Sequence, residues 1–539
     1  MRRAAFPLSI LALGLLVFAA WMHPAVLWPR NVGWVLTGED RGQAAIGLAA
    51  WLRAGTGLRE PLLNAPVGTA LLFTDSIPLL ALLVAPFAPA DTQFIGCWYL
   101  FSVLLQAMFA AALVRRWTPD ALAAWCGAAL LVLMPALLNR YPHASLTAQW
   151  LLLWALWVFA EPTRARAAGW WAAVLGVAAL VHSYLLLGVL AIWSGALLEY
   201  MARRDGWGAA RLVAVLAVPL AILAAHGAFA GPYVSTGTYG GYPAALDAWW
   251  NPANPDYSAL LPSSLRAPDG RGFEGLNYLG AGLLALVLGA GGLLATGRVE
   301  AVRRATLKRL GWLVPPLAVL ALLAWGPAPV WRGQPLFAVA LPPGMVDLLD
   351  PVRASGRLLW PATYLLALAA IVIVGGTRRA TLLLAAALAL QVADLAPMLG
   401  AIRHASARAD DPMPFAITRS AAWDRLVGQA AAIEFQPARP FVDTGVLDEV
   451  GWRAVAACRP LRWFYASRER VSQRAQAAAD ARAFAAGRLD PVRLYVLLGP
   501  DPASAAVAAR VRILDGVRII PPSRPGPPPA CPSSPPAAP

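Results

Sequence analysis

The sequence predicts an all-α polytopic membrane bundle of about 11 to 13 transmembrane helices, followed by a small C-terminal extramembrane α/β domain. Two observations carry that prediction. Of 539 residues, 59% are hydrophobic and only 14% charged, where soluble chains carry roughly a quarter charged residues; mean hydropathy is +0.58. Apolar runs also recur from Phe6 to Leu399, close to the ~20 residues a helix needs to cross the hydrocarbon layer. The 47 prolines and 45 glycines suit such a bundle, because neighbouring helices re-satisfy the backbone groups they leave open.

The net charge of +15 argues for membrane orientation and not for nucleic acid. The arginines stand in short clusters between apolar runs: Arg115 and Arg116, Arg164 and Arg166, Arg203 and Arg204, Arg298 to Arg309, and Arg378 with Arg379. Such clusters collect on the cytoplasmic side.

Taken in order, Arg2 and Arg3 followed by the apolar stretch Phe6 to Trp28 read as an uncleaved first span with its N-terminus inside. A cleaved signal is the weaker alternative, since no small-residue cleavage site follows at the usual distance. A polar, Gly-rich stretch, 30–72, then faces outside. Further apolar segments lie near 73–90, 94–114, 120–138, 143–160, 168–183, 184–201, 209–230, 277–295, 311–326, 358–376 and 380–399, making twelve candidates with the first. If every arginine cluster faces inside, one early segment cannot cross. Either 73–90 stays out, interrupted by Asp75 and three prolines, or 168–201 is one broken span. Both solutions put 232–275, 327–357 and the C-terminal region outside. The membrane domain is thus 1–400, with an external α/β domain over 401–520.

Within that external domain, Ala431 to Phe435, Arg493 to Leu498 and Val511 to Ile513 read as strands, and Ser472 to Ala486 as an Ala-rich helix. The Pro-rich tail, 521–539, reads as disordered. Cys97 and Cys126 are expected as ordinary small core residues. An oxidising compartment would permit a Cys458–Cys531 disulfide, but the position of Cys531 in the tail does not favour it. No cysteine spacing resembles a zinc site.

Candidate chemistry concentrates at the ends of apolar segments. Glu39 and Asp40, just beyond the first span, could bind a divalent metal (Mg or Mn, on Asp40) or take a proton from an acceptor hydroxyl; solvated loop charges are the alternative. Asp75 opens an apolar segment, where an ionisable group is costly and so a functional candidate. Thr74, Asp75 or Ser76 could equally cap the helix that Pro78 begins. His143 and His182 stand at span boundaries and could bond a phosphate or sugar, or serve structure alone. Tyr239, Tyr242, Trp249 and Trp250 could stack on a sugar or form an interfacial belt. Arg353 and Arg357 sit on the outer side against the usual bias. They point to a phosphate, which guanidinium holds with two parallel bonds, or to lipid headgroups.

The ordered set Gly38-x-Asp40-x-x-Gln43 with Gly47, Phe73-Thr74-Asp75-Ser76-Ile77-Pro78, Phe273-Glu274-Gly275-x-x-Tyr278-Leu279-Gly280, Arg353-x-Ser355-Gly356-Arg357 and Leu489-Asp490-Pro491-x-Arg493-Leu494-Tyr495-Val496 resembles a bacterial integral-membrane family of undefined function. That family is similar to glycosyltransferases of the GT-C fold. The resemblance covers nearly the whole chain. It implies a GT-C-like bundle in a bacterial inner membrane, N-terminus cytoplasmic and C-terminal domain periplasmic. It also implies a groove for a polyprenyl-phosphate-linked sugar and an acid on the first external loop, with Asp40 in that place. Arg353 or Arg357 would hold the donor phosphate, with Glu274 among the substrate-binding residues. Glu39 precedes Asp40 and Ala44 follows Gln43, departing from the family's Gly-Asp pair and trailing histidine, so either acid could be the working one.

The function expected is transfer of a sugar from a polyprenyl-phosphate carrier to an envelope glycan, lipid or protein on the external face. A transporter or flippase of lipid-linked glycans is the alternative, though it should bury paired charges mid-helix, which runs such as Leu104 to Leu113 lack. A non-catalytic membrane assembly protein is the third.

Overall fold

Run length decides what each apolar segment becomes. The computed structural model describes residues 5–89, 91–263, 271–411, 413–440, 444–500, 504–528 and 531. Among these residues six helices are long and apolar enough to cross a membrane: Ile95–Val114, Ser183–Ala202, Gly206–Ala225, Ala301–Trp325, Ser355–Val374 and Ala380–Asp410. Five shorter apolar helices accompany them: Ala5–Trp21, Ala121–Val132, Ala144–Ala160, Ala168–Ala179 and Ala281–Ala295. They correspond to eleven of the twelve apolar segments. The exception is 73–90, which forms only the seven-residue helix Pro78–Val84, far short of a crossing. The 168–201 region is two helices, separated at Leu180 to His182.

Helices Gly206–Ala225 and Ala301–Trp325 bury only 17% and 22% of their apolar windows within the protein. Leu220, Val319 and Leu322 are left exposed on them. Apolar faces of that extent fit a multi-pass membrane protein.

Several polar side chains inside the bundle are paired across helices, which lowers the cost of burying them. Gln106 donates to the Tyr364 hydroxyl at 2.8 Å, and Tyr364 donates to Gln149 at 2.8 Å, tying three segments. Asp394 accepts from the Tyr278 hydroxyl at 2.7 Å and from the backbone N–H of Ala281 at 2.9 Å, so it serves as a cap supplied by another helix.

Strand is scarce. β1 (Arg59–Glu60) pairs with β2 (Thr69–Ala70) in the stretch after helix Asp40–Ala54, and β3 (Val330–Trp331) with β4 (Gln334–Pro335) after helix Ala301–Trp325. The C-terminal sheet contains β5 (Ala432–Gln436), β6 (Arg493–Leu497), β7 (Arg512–Leu514) and β8 (Val517–Ile520), in the order β5-β6-β8-β7. β5 and β6 are parallel and the other pairs antiparallel. Helix Val471–Ala485 matches the Ala-rich helix expected there. β8 and helices Ala422–Gln429 and Thr444–Ala456 are additions to the sequence reading.

Two expectations about the tail are corrected. The N–H of Gly526 donates to Gln429 at 2.7 Å and that of Ser523 to Pro491 at 2.8 Å, so 521–528 is laid against the domain. Residues 529–530 and 532–539 lie outside the described residues. Cys458 and Cys531 form a disulfide: the paired backbone of 521–528 carries Cys531 back to Cys458, where composition alone suggested a loose end.

The C-terminal domain docks on the loops that precede the apolar helices. Leu461 exchanges backbone bonds with Leu62 (2.8 Å) and Ala65 (2.9 Å), and the N–H of Phe464 donates to Asn64 at 2.9 Å. The N–H of Ser467 reaches the carbonyl of Phe73 at 2.7 Å. Segment Trp463 to Arg468 is thereby laid across the site.

Candidate functional site

Most acidic and basic candidates stand at or just before the start of a helix, Glu274 instead ends the short helix Arg271–Glu274, and all but Glu39 meet at one cavity. Asp40 is the first residue of helix Asp40–Ala54. His143 precedes the turn that leads into Trp150–Ala160, and His182 is the N-cap of Ser183–Ala202. Arg357 lies in the 3-10 turn Ser355–Leu359 that opens helix Trp360–Val374. Asp40, Asp75, His143, His182, Glu274, Arg353 and Arg357 all line a cavity of about 200 Å³, together with Tyr184, Tyr242, Tyr465, Ser467 and Arg468. Helix N-termini carry partial positive charge, so their convergence favours an anion.

The centre of the cavity is a relay of charges. Glu274 takes a two-pronged bond from Arg357 (Nε 2.7 Å, Nη2 2.6 Å), a third from Arg140 (2.9 Å), and faces His143 Nε2 at 3.1 Å. Burial alone would push the Glu274 carboxyl up, but Arg357 first, then His143 and Arg140, hold it well below the usual carboxylate range. The other ring nitrogen of His143 contacts Asp40 Oδ2. Burial, opposed by His143 and reinforced by Asp75 and Glu274, pushes the Asp40 carboxyl up.

A second acid–imidazole pair faces the same space. His182 Nδ1 accepts from the Tyr184 N–H at 3.1 Å, which leaves Nε2 to carry the proton toward Asp75 Oδ1 at 3.5 Å. Burial works against the Asp75 charge, but His182 outweighs it and holds the carboxyl low; burial holds the His182 imidazole low as well. Asp75 and Ile77 both have left-handed backbone (φ 55° and 51°). That conformation is uncommon for Asp and an outlier for a β-branched residue, and such strain collects at functional sites. Gly47 makes the turn's position possible, since a Cβ there would stand 2.1 Å from Ser76 Oγ. The capping alternative does not hold: Ile77 occupies the cap position, with no side-chain cap bond.

A family model spans these residues. The family model described as "Domain of unknown function (DUF6311)" matches residues 11–396, and "DUF6311 C-terminal domain" matches 422–522. The chain belongs to the DUF6311 family. No curated protein and no solved structure matches it.

In this DUF6311 chain Glu39 parts company with Asp40. Its carboxylate pairs with Arg41 at 2.6 Å and it does not line the basic cavity. Arg357, expected as a phosphate ligand, has its charge met by Glu274. Arg353 keeps only the Tyr465 hydroxyl, at 3.1 Å, and among the described residues forms no ion pair. Beside it Arg468 lies 3.6 Å from Asp350, whose carboxylate is already occupied by Thr236 (2.6 Å and 3.1 Å). Arg353 and Arg468 are thus the cations best placed for an incoming anion. Of the outer-loop aromatics, Tyr242 lines this cavity, whereas Trp249 and Trp250 line a separate apolar one.

Arg140, Tyr465, Ser467 and Arg468 were not singled out in the sequence. Arg140 stands three residues before His143, and its place beside an apolar run was the one available signal. For the metal expected on Asp40, no group of three or more His, Cys, Asp or Glu side chains among the described residues is set to hold an ion. Glu274, across His143, already gives both oxygens to cationic donors. The donor set offers a divalent ion no ready site, and no step below is routed through one.

Proposed function

We propose that this DUF6311 chain is a membrane glycosyltransferase of GT-C type, moving a sugar from a polyprenyl-phosphate carrier to an envelope acceptor on the external face. The observation that carries the reading is the single cavity in which the Asp40–His143 pair meets Arg353 and Arg468. Glycosyl transfer needs both halves: a base for the acceptor hydroxyl and cations for the departing phosphate. Asp40 takes the acceptor proton. The Glu274–Arg357–Arg140 cluster holds the His143 ring against Asp40, while Arg353, Arg468 and the helix N-termini receive the phosphate charge.

We read the orientation by counting the five shorter apolar helices as crossings beside the six long ones. Eleven alternating apolar helices beginning from a cytoplasmic N-terminus put all five arginine clusters inside, as the positive-inside rule asks. They put Asp40, Asp75, His143, His182, Glu274, Arg353 and the C-terminal domain together outside. We assign the chain on this ground to the bacterial inner membrane, with its folded domain in the periplasm. The Cys458–Cys531 disulfide agrees with an oxidising compartment.

The test is mass spectrometry of envelope glycans and glycolipids in a deletion strain complemented with wild type, Asp40→Asn or Arg353→Ala/Arg468→Ala, at matched membrane levels. Loss of one sugar-sized mass, restored by wild type alone, is the expected outcome. Full restoration by Asp40→Asn removes Asp40 as the base. Accumulation of an unmodified lipid-linked precursor, with Asp40 dispensable, would replace transfer by flipping.

A further inference from the structure

Asp40 lies in a wall between two cavities. On one side is the basic cavity; on the other is a space of about 150 Å³ between the start of helix Asp40–Ala54 and helix Thr444–Ala456 of the C-terminal domain. Asp40 and Tyr465 line both. The second cavity contains no arginine among its lining residues. Trp463 and Phe464 supply aromatic surface there, Glu39, Thr444 and Asp448 supply oxygens, and Gln43 supplies an amide.

One of those groups lacks a partner. Gln43 is 5% exposed, and its amide nitrogen donates to the Phe73 carbonyl at 3.4 Å, yet its Oε1 has no hydrogen-bond partner. A buried carbonyl oxygen left unpaired costs about 1–3 kcal/mol, so the site is built for a donor that arrives from outside. Asp448, also buried, accepts from the Gly38 N–H at 2.7 Å. Its carboxyl is pushed well above the usual range by burial. An unpaired acceptor, a buried carboxyl and aromatic surface make up a set suited to a hydroxyl-bearing ring.

We infer that this second cavity is the acceptor subsite and that it takes the hydroxyl-bearing end of a carbohydrate, presented to Asp40 from the side opposite the phosphate. The inference rests on the transferase reading for its chemistry. The acceptor O–H gives its proton to Asp40, and its oxygen forms the new bond to the anomeric carbon. The bond from that carbon to the phosphate oxygen breaks, and its electron pair leaves on the lipid phosphate. The placement also explains Glu39: it belongs to the acceptor side, where it meets hydroxyls and not the base's proton.

The test uses the purified full chain in nanodiscs and two probes measured separately: a panel of methyl hexopyranosides by saturation-transfer NMR, and farnesyl phosphate by calorimetry. We expect at least one glycoside to bind wild type and Leu447→Trp, which fills the cavity, to weaken it at least tenfold, with farnesyl phosphate affinity unchanged. Arg353→Ala/Arg468→Ala should do the reverse. Should Leu447→Trp fail to fold, Asp448→Asn carries the test, because it keeps the shape while changing the carboxyl, and a severalfold loss of glycoside affinity is expected. No glycoside binding to wild type, or glycoside binding indifferent to these substitutions, overturns the acceptor subsite. Glycoside binding without farnesyl phosphate binding leaves the subsite standing and removes the lipid-phosphate donor instead.

Discussion

At the residue scale the neighbouring acids Glu39 and Asp40 separate by geometry, and their substitution should separate them in function. Asp40→Asn is expected to lower transfer by about 10²–10⁴, the usual worth of a positioned base, while Glu39→Gln leaves the base in place and weakens acceptor affinity instead; initial rates at varied acceptor distinguish the two. The pH profile carries a sign. Asp40 must be ionised to accept a proton, and its carboxyl is pushed up, so the rate should rise with pH through a limb above the ordinary carboxylate range. His143 opposes that upward push, so His143→Gln should move the limb to still higher pH. These residues were legible in the sequence because a charge beside an apolar run is conspicuous. Arg468 and Tyr465 were not, because they lie about 400 residues from Asp40 and Asp75 in a domain where charge is ordinary, and only the docked chain brings them near.

Among the elements, the first outer loop supports the strip Trp463 to Arg468, and one buried group there titrates. Glu60 is fully buried and accepts the N–H groups of Leu62 and Leu63 at 2.8 Å and 2.9 Å. Burial nevertheless raises its carboxyl to about 8. In the unfolded chain the group ionises near 4.5, so the stabilising contribution is complete below that pH and is lost as pH climbs to about 8. The melting temperature should therefore fall between pH 5 and pH 8 in wild type and fall less in Glu60→Gln, as followed by thermal unfolding in detergent. Helices were the most legible elements, since uninterrupted apolar length marks them without help from the rest of the chain. Segment 73–90 was legible as a break in the series, since Asp75 and Pro78, Pro86 and Pro89 interrupt it; the left-handed backbone of Asp75 and Ile77 was not. β8 and helix Thr444–Ala456 escaped because their pattern mixes polar and apolar residues and draws its order from the sheet and the bundle they pack on.

For the molecule as a whole, topology is the claim most open to refutation. In a Cys97→Ala/Cys126→Ala background, Ser235→Cys should react with a membrane-impermeant maleimide in spheroplasts, and Ala305→Cys only after lysis. The opposite pattern would turn the site to the cytoplasm. Docking of the C-terminal domain offers a second check. A Cβ on Gly42 would stand 2.0 Å from Asp448 Oδ2, so Gly42→Ala should loosen the domain by roughly 1–3 kcal/mol, seen as faster proteolysis of the 411–421 connection. Gly42→Ala/Asp448→Ala should be milder than the sum of the two single changes, as for any pair in contact.

The bond from Gly38 to Asp448 joins residues 410 positions apart, and ribosomes make them in that order. Asp40 is translated about 400 residues before the wall that completes its surroundings. A nascent protein already threaded through the bilayer therefore holds its acid beside an open, unfinished pocket. On the transferase reading, chemistry becomes available only once helix Thr444–Ala456 has folded back on the start of helix Asp40–Ala54. A chain cut short anywhere before Thr444 would sit in the membrane as an inert fragment, so the arrangement itself acts as a check on completeness.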